Sequence, residues 1–195
     1  MKEFFNIVLL GAPGSGKGTQ ADLIKRRYQM EHVSTGDLYR KEISSESEIG
    51  IAAKTIIEQG NLCPDSMTLD ILFKYIQKHK RTKGYILDGV PRTLEQATMM
   101  EGIGYEHFIP INMVINISVT NEEIANRLAK RAILINRADD TPEVIQQRIV
   151  NYERQTVPLI EHYNNKKILY NINGMQSLED VFKDICLIID SVKHK

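Results

Sequence analysis

The ten residues GAPGSGKGTQ, at positions 11–20, have the types and spacing most suited to chemistry. They fit the pattern G-x-x-x-x-G-K-[ST], in which glycines let the backbone curl around anionic oxygens and the lysine reaches the terminal phosphates. An apolar run precedes the loop, and a helical pattern follows from about Lys17 to Tyr28, so the positive end of a helix would face the phosphates. Gly18 occupies the place of the Ser or Thr that would hold magnesium, and Thr19 comes one residue later. The stretch predicts a nucleoside triphosphate site with Lys17 at the β- and γ-phosphates.

Asp88, at the end of the apolar run YILD, is the second candidate. An Asp at the carboxyl end of a strand is where nucleotide-binding folds hold the residue that orients magnesium, usually through water. Many strand ends carry Asp only as a turn former, but the presence of the phosphate loop favours the magnesium-orienting role for Asp88. The pair predicts that Mg²⁺ binds together with the triphosphate.

Six arginines lie near turns or helix ends in the other candidate segments. Arg127 and Arg131 are four residues apart and so share a helix face. Planar guanidinium groups suit phosphoryl transfer, which needs positioning and neutralisation of charge rather than covalent chemistry. The six are Arg40, Arg92, Arg127, Arg131, Arg137 and Arg148.

No other kind of site is indicated by the sequence. The five histidines show no ligand or triad spacing and are interpreted as surface or structural residues. Cys63 and Cys186 lack the paired spacing of a zinc site, so we expect reduced cysteines and no structural zinc. The 25 basic residues balance the 25 acidic ones, which gives no sign of a nucleic acid or membrane partner. Apolar runs are too short for a signal peptide or a membrane span, and a cytoplasmic location is expected.

Strands and helices alternate along the chain. Capping residues mark helix starts, at Ser34, Thr120 and Ser177 in capping boxes and at Thr141 before Pro142. Pro158 falls within a long helical pattern over 142–163 and should kink that helix. Runs of strand type occupy 4–10, 84–89, 112–119 and 168–172, and an amphipathic helix is expected over 66–79. This alternation predicts an α/β fold with a mostly parallel sheet covered on both faces by helices.

Two stretches interrupt this rhythm. Residues 34–63 carry two helical patterns with no obvious strand between them, and RAILINRADD, at 131–140, breaks helical sequence. Both are interpreted as insertions above the functional edge of the sheet, where lids and acceptor sites usually lie.

Four motifs together resemble the adenylate kinase family. They are GAPGSGKGTQ, STGDLYR at 34–40, GYILDGVPRTLEQA at 84–97 and RADD at 137–140, in this order. The resemblance covers nearly the whole chain, and the Gly18-Thr19 ending of the loop belongs to the family's pattern. It implies a P-loop NTPase-type domain over 1–195, with core segments 1–33, 64–130 and 141–195. Residues 34–63 would form the flap that binds the nucleoside monophosphate, and 131–140 a short lid.

The resemblance implies a role for each candidate residue in transfer of the ATP γ-phosphoryl to AMP. Mg²⁺ would be the cofactor, and two ADP would be the products. The residues that would neutralise the transferred group are Lys17, Arg92, Arg127, Arg131, Arg137 and Arg148. The ATP site would comprise Gly14, Ser15, Gly16, Lys17, Gly18, Thr19, Arg127, Arg131 and Gln176, with backbone near Gly174 beside the adenine. The AMP site would comprise Thr35, Arg40, Asn61, Leu62, Cys63, Gly89, Val90, Pro91, Arg92, Gln96, Arg137 and Arg148. Asp139 and Asp140 would orient lid arginines, and Asp88 would hold the metal through water.

Alternatives remain open at this stage. Kinases of UMP and CMP resemble the same loop and lid but typically carry alanine in place of Thr35, and Gln96 suits an adenine edge, so AMP is favoured over other nucleoside monophosphates. A nucleotide-binding module without catalysis is a third reading, supported only by Val90 in place of the usual Phe and by the apolar lid tip at 132–136. A monomer is expected.

Overall fold

A parallel β-sheet forms the centre of the molecule. The computed structural model describes residues 4–80, 82–102, 110–135 and 141–193, with side chains as far as Arg131 in the third range. The strands are β1 (Ile7–Leu10), β2 (Glu31–Ser34), β3 (Tyr85–Asp88), β4 (Met113–Ser118) and β5 (Leu169–Asn173). Their order is β2-β3-β1-β4-β5, and every pair is parallel. The predicted α/β fold with a parallel sheet is confirmed.

The central strand β1 shows why the sheet forms here. All four residues of IVLL are buried, as a strand covered on both faces requires. Ile7 and Leu9 pack on one face with Ile24 and Ile185, whereas Val8 and Leu10 join a second cluster on the other face. This alternation follows from the two-residue period of a strand, and it gives the domain two apolar layers.

Helices cover both faces of this sheet. They are α1 (Lys17–Tyr28), α2 (Thr35–Ser44), α3 (Glu48–Glu58), α4 (Asp65–Lys78), α5 (Leu94–Gly102), α6 (Asn121–Ile135), α7 (Pro142–Asn151), α8 (Pro158–Asn165) and α9 (Leu178–Lys193). The predicted start signals are confirmed, because each capping hydroxyl accepts a hydrogen bond from the backbone N–H three residues later. These bonds occur at Ser34, Thr120, Thr141 and Ser177.

Residues 34–63 contain the two predicted helices, α2 and α3. Tyr39 and Ala53 pack with Cys63 and with Ile71 of α4 in a small apolar cluster of their own. Tyr39 also shares a 3.0 Å hydrogen bond between hydroxyl groups with Thr68 of α4. The segment therefore has its own core beside the main one, while its role as a flap stays a prediction.

The structure departs from the sequence-based reading at three places. Strand β2 was not predicted, because EHVS offers only Val33 as an apolar residue and lies at the edge of the sheet. Helix α6 continues to Ile135 instead of ending near Arg131. The irregularity expected at Pro158 takes the form of a π-helical turn, Tyr152–Thr156, between α7 and α8.

Within the described ranges, none of the helices combines the length and the apolar character that crossing a membrane requires. Cys63 and Cys186 are both free thiols and buried, as expected.

Candidate active site

A cavity of about 880 Å³ opens at the carboxyl edge of the sheet. In a parallel sheet the carboxyl ends of all strands meet at one edge, which is where α/β folds bind ligands. The loop after β1, the end of β2 and the turn after β3 contribute to its wall, together with one side of α6 and α7. Its volume falls within the usual range of small-molecule pockets.

The loop between β1 and α1 curls around the Lys17 side chain. The Lys17 ammonium donates to the carbonyl oxygens of Gly11 at 2.8 Å and Ala12 at 3.0 Å. Gly14 has a φ of +82°, and a Cβ there would lie 2.9 Å from Leu128, so this position excludes other residues. The lysine is thereby held at the start of helix α1, where backbone N–H groups and the helix dipole favour anions.

Lys17 has an altered pKa in this environment. The pKa of its ammonium is lowered to about 8, chiefly by burial; the nearby charges of Arg92, Arg148 and Arg131 act in the same direction, and Asp88 acts against them. The cavity therefore concentrates positive charge, and an anionic phosphate is what would relieve the mutual repulsion.

Asp88 lies at the end of β3 beside this lysine. Burial acts to raise the pKa of its carboxyl, but His32 and the charges of Lys17 and Arg92 outweigh burial, and the pKa lies below its usual value. His32 Nε2 is 3.5 Å from the Asp88 carboxylate, and its Nδ1 is 3.3 Å from Asp22. A Cβ at Gly18 would be 3.7 Å from the Asp88 carboxylate. An ionised carboxylate thus faces the position where the usual hydroxyl ligand of a P-loop is missing.

Arg127 connects three parts of the wall. Its Nε donates to Glu123 Oε1 at 2.8 Å, one turn earlier on α6. Its terminal nitrogens donate to the carbonyl oxygens of Ser15 at 3.4 Å and Gly174 at 2.8 Å. The guanidinium thereby bridges the P-loop and the loop that follows β5.

The opposite side of the cavity is built around Arg92. Its Nε donates to the Gly89 carbonyl oxygen at 3.0 Å, and its backbone N–H donates to Gln96 Oε1 at 2.7 Å. Gln96 Nε2 donates in turn to Asp65 Oδ1 at 2.8 Å. Thr35 Oγ1 donates to the same Gly89 carbonyl oxygen at 2.9 Å. The turn after β3 is therefore fixed from α2, α4 and α5 at once.

Comparison with known proteins decides the family. The family model described as Adenylate kinase matches residues 9–168. Adenylate kinase of Bacteroides fragilis is 43% identical over 187 residues, which cover 96% of this chain and 99% of that protein. The chain belongs to the adenylate kinase family. Two further adenylate kinases are similar to this chain over nearly their whole length. That of Porphyromonas gingivalis is 39% identical over 188 residues (96% of this chain, 97% of that protein), and that of Staphylococcus epidermidis is 37% identical over 212 positions (95% and 99%).

Most residues expected from the adenylate kinase resemblance line the cavity. These are Gly14, Ser15, Gly16, Lys17, Gly18, Thr19, Arg40, Leu62, Asp88, Gly89, Pro91, Arg92, Arg127, Arg131, Arg148 and Gln176. Gln176 Nε2 donates to Asp184 at 2.9 Å, and Arg40 pairs with Asp37. The expectations for Arg137, Asp139 and Asp140, and for the side chains of the lid tip at 132–136, lie outside the described residues.

Other expected residues are not among those that line the cavity. Thr35, Cys63, Val90 and Gln96 are all buried. Val90 packs in the main core with Leu10 and Tyr163, so its side chain is not part of the cavity surface. Contact between Val90 and a nucleotide would therefore involve its backbone.

Several cavity residues of this adenylate kinase family member were not predicted. They include Arg26, His32, Asn151, Tyr152 and Thr156. The family motifs offered one signal only: His32 lies two residues before STGDLYR and would face Asp88 once EHVS is recognised as a strand. Asn151, Tyr152 and Thr156 lie on or beside the π-helical turn, for which the sequence gives no pattern.

Acidic, His and Cys side chains do not gather in threes around a possible metal ion anywhere in the described part of the chain. Asp88 is nevertheless a suitable neighbour for Mg²⁺, because this ion keeps most of its waters and takes only one or two carboxylates from a protein in phosphate sites.

Proposed function

We propose that the chain transfers the γ-phosphoryl group of ATP to AMP, reversibly, giving two molecules of ADP. The observation that carries this proposal is the convergence of Lys17, Arg92, Arg127 and Arg148 on one cavity in a chain of the adenylate kinase family. Such a reaction would maintain the balance of adenine nucleotides.

ATP would bind on the P-loop side. Residues 14–19 would wrap its phosphates, with Lys17 at the β- and γ-phosphates. Arg127 and Arg131 would also face ATP, and Gln176 and the backbone of Gly174 would lie beside the adenine. The hydrogen bond from Arg127 to the Gly174 carbonyl oxygen supports this arrangement, because it joins the predicted phosphate and base regions.

AMP would bind on the side of Arg92. Arg40 and Arg92 would contact its phosphate, with Thr35, the backbone of residues 61–63 and Gln96 around its base. Gln96 uses one donor and one acceptor within the protein. Its amide retains a second N–H and a second lone pair, which is what pairing with an adenine edge requires.

The transfer itself would proceed in line. An oxygen of the AMP phosphate attacks the γ-phosphorus, the bond from that phosphorus to the β,γ-bridging oxygen breaks, and ADP leaves with that oxygen. No general base is needed, because the AMP phosphate is already ionised. Lys17, Arg92 and Arg148 would neutralise the charge that spreads over the transferred group. Arg137, Asp139 and Asp140 are proposed to complete this set from the lid.

The Asp88 carboxylate would hold Mg²⁺ beside the donor phosphates, where the ion would neutralise part of their charge. Asp88 would orient its waters. Asp88→Asn should therefore raise the Mg²⁺ concentration needed for half-maximal activity, whereas Asp22→Asn should not, although both residues lie beside His32. Equal shifts for the two variants would refute the assignment of the metal to Asp88.

The function is tested by measuring diphosphate formation from ATP with AMP, UMP, CMP and GMP in turn. We expect AMP to be used most efficiently. A second series with GTP in place of ATP measures the specificity of the donor site. Preference for UMP or CMP would contradict the substrate assignment, and no turnover with any monophosphate would contradict catalysis. A monomeric state, a cytoplasmic location and the absence of nucleic acid or membrane partners are further predictions.

A further inference from the structure

The π-helical turn Tyr152–Thr156 lies between α7, which carries Arg148, and α8. Residues five apart point about 140° away from each other on a regular α-helix, at about 100° per residue. A π-turn closes with i→i+5 bonds, such as Val157 N–H to the Tyr152 carbonyl oxygen at 3.0 Å, and so turns residues five apart towards one side. Asn151 and Thr156 are five apart, both are buried, and both line the cavity.

Asn151 contacts the end of the segment that follows α3. Its Nδ2 donates to the Gly60 carbonyl oxygen at 2.9 Å and lies 3.3 Å from Asn61 Oδ1. Its Oδ1 accepts from Gln147 Nε2 and from Gln155 Nε2, each at 3.4 Å. Both ends of this buried amide are engaged, so its orientation is fixed.

Gly60 shows how closely this segment approaches α7. Its φ is +75°, and a Cβ there would lie 2.8 Å from the Val144 carbonyl oxygen and 3.3 Å from both Gln147 and Arg148. Only glycine combines this backbone conformation with this approach. The carbonyl oxygen that Asn151 holds is therefore next to the residues proposed to contact AMP through their backbone.

Thr156 contacts the other loop on this side of the cavity. Its Oγ1 donates to the Arg92 carbonyl oxygen at 2.9 Å. Because the Arg92 N–H is held by Gln96 Oε1, the backbone of Arg92 is bonded on both sides. Thr156 thereby fixes the direction from which the Arg92 guanidinium enters the cavity.

We infer that Asn151 and Thr156 are positioning residues for the AMP site, which the π-turn directs at the two loops that hold AMP. Asn151 fixes the segment at residues 60–62, and Thr156 fixes Arg92. Both residues belong to the helical element that carries Arg148. One rigid element therefore sets the distances between AMP, Arg92 and Arg148. The inference rests on the proposed placement of AMP beside Arg92.

The test compares Thr156→Val, which keeps the shape but removes the donor, with Thr156→Ser, which keeps the donor. Thr156→Val should lower kcat/KM for AMP by about 10–100-fold, the scale of a small misplacement of reacting groups. Thr156→Ser should stay within about threefold of the unmodified chain, since the hydrogen bond is retained.

Asn151→Ala should raise KM for AMP about tenfold, the scale of one lost hydrogen bond near a site. In every variant KM for ATP should change by less than about twofold.

Glu153→Ala is the matched control, because Glu153 is exposed on the same turn. Thermal unfolding of each variant is recorded, and kinetics are measured well below the lowest midpoint. Equal losses for AMP and ATP, or a loss in Thr156→Ser as large as in Thr156→Val, would overturn the inference. Should Asn151→Ala fail to fold, the Thr156 pair decides. An unmodified chain that does not prefer AMP contradicts the proposed function instead, so the two failures are distinguishable.

Discussion

Arg127 donates to the carbonyl oxygen of Gly174 across a gap of 47 residues in sequence, at 2.8 Å. The bond joins helix α6 to the loop after β5, and Glu123 holds the other edge of the same guanidinium. A planar group bonded on two sides cannot swing freely. Arg127 would therefore make its proposed contact with ATP without first losing the freedom of a solvated side chain.

Replacement of Arg127 by Ala should raise KM for ATP by about 10–100-fold, the scale of hydrogen bonds to a charged group. KM for AMP should change little, because Arg127 lies on the P-loop side. Steady-state kinetics with each substrate varied in turn provide the measurement. Lys130→Ala on the same helix, an exposed cation outside the cavity wall, should leave both constants unchanged. A larger effect on AMP than on ATP would contradict the assignment.

Arg92→Ala should lower kcat by about 10³-fold or more, as expected when an arginine that neutralises the transferred phosphoryl group is lost. Arg92→Lys should recover only part of this, because an ammonium cannot reproduce two parallel donors. Single-turnover rates of ADP formation report the chemical step directly. Arg154→Ala removes an exposed arginine and should have no such effect. A loss below tenfold in Arg92→Ala would exclude the proposed role.

Gln96→Ala should weaken AMP binding by about 1–3 kcal/mol while ATP binding stays nearly unchanged. The structure adds a second effect, because Gln96 also holds the Arg92 N–H and Asp65, and kcat should fall as well. Titration calorimetry with each nucleotide separates binding from turnover. Glu95→Ala, an exposed neighbour on α5, is the control. Equal weakening of both nucleotides would indicate a general disturbance of the fold rather than a contact with AMP.

The sheet and its helices were largely predictable because their sequences carry local signals. Strand β1 is a continuous apolar run, and Ser34, Thr141 and Ser177 mark helix starts. Helix α1 was predicted with its observed bounds. Strand β2 was not, since it lies at an edge and its four residues contain one apolar side chain. Its pairing with β3 is a contact across more than 50 residues, which a local pattern does not record.

The site was predictable where motifs carry the chemistry and not where folding creates it. Lys17, Asp88 and the arginines belong to patterns that chemistry itself requires. Asn151 and Thr156 enter the cavity only through the π-turn. Pro158 indicated a break, because it lacks an N–H and its ring opposes the carbonyl of Arg154. The type of turn that results depends on packing between α7, α8 and the sheet.

Binding of ATP should take up a proton at alkaline pH through Lys17. The pKa of this ammonium is lowered to about 8, chiefly by burial, and adjacent phosphates would raise it, since an opposite charge favours the charged form. At pH values between the pKa of free Lys17 and its pKa in the complex, ATP binding must therefore add a proton to Lys17. The affinity for ATP must fall as the pH rises through this range. At pH 7 the uptake should be close to zero, and at pH 9 about 0.9 protons, given a pKa one unit below the pH.

Calorimetry at pH 9 in two buffers of different ionisation enthalpy measures this number of protons. Lys17→Arg keeps its charge at pH 9 and should show almost no uptake, which separates Lys17 from His32 and Asp88 beside it. An unchanged uptake in Lys17→Arg, or none in the unmodified chain, would refute the linkage.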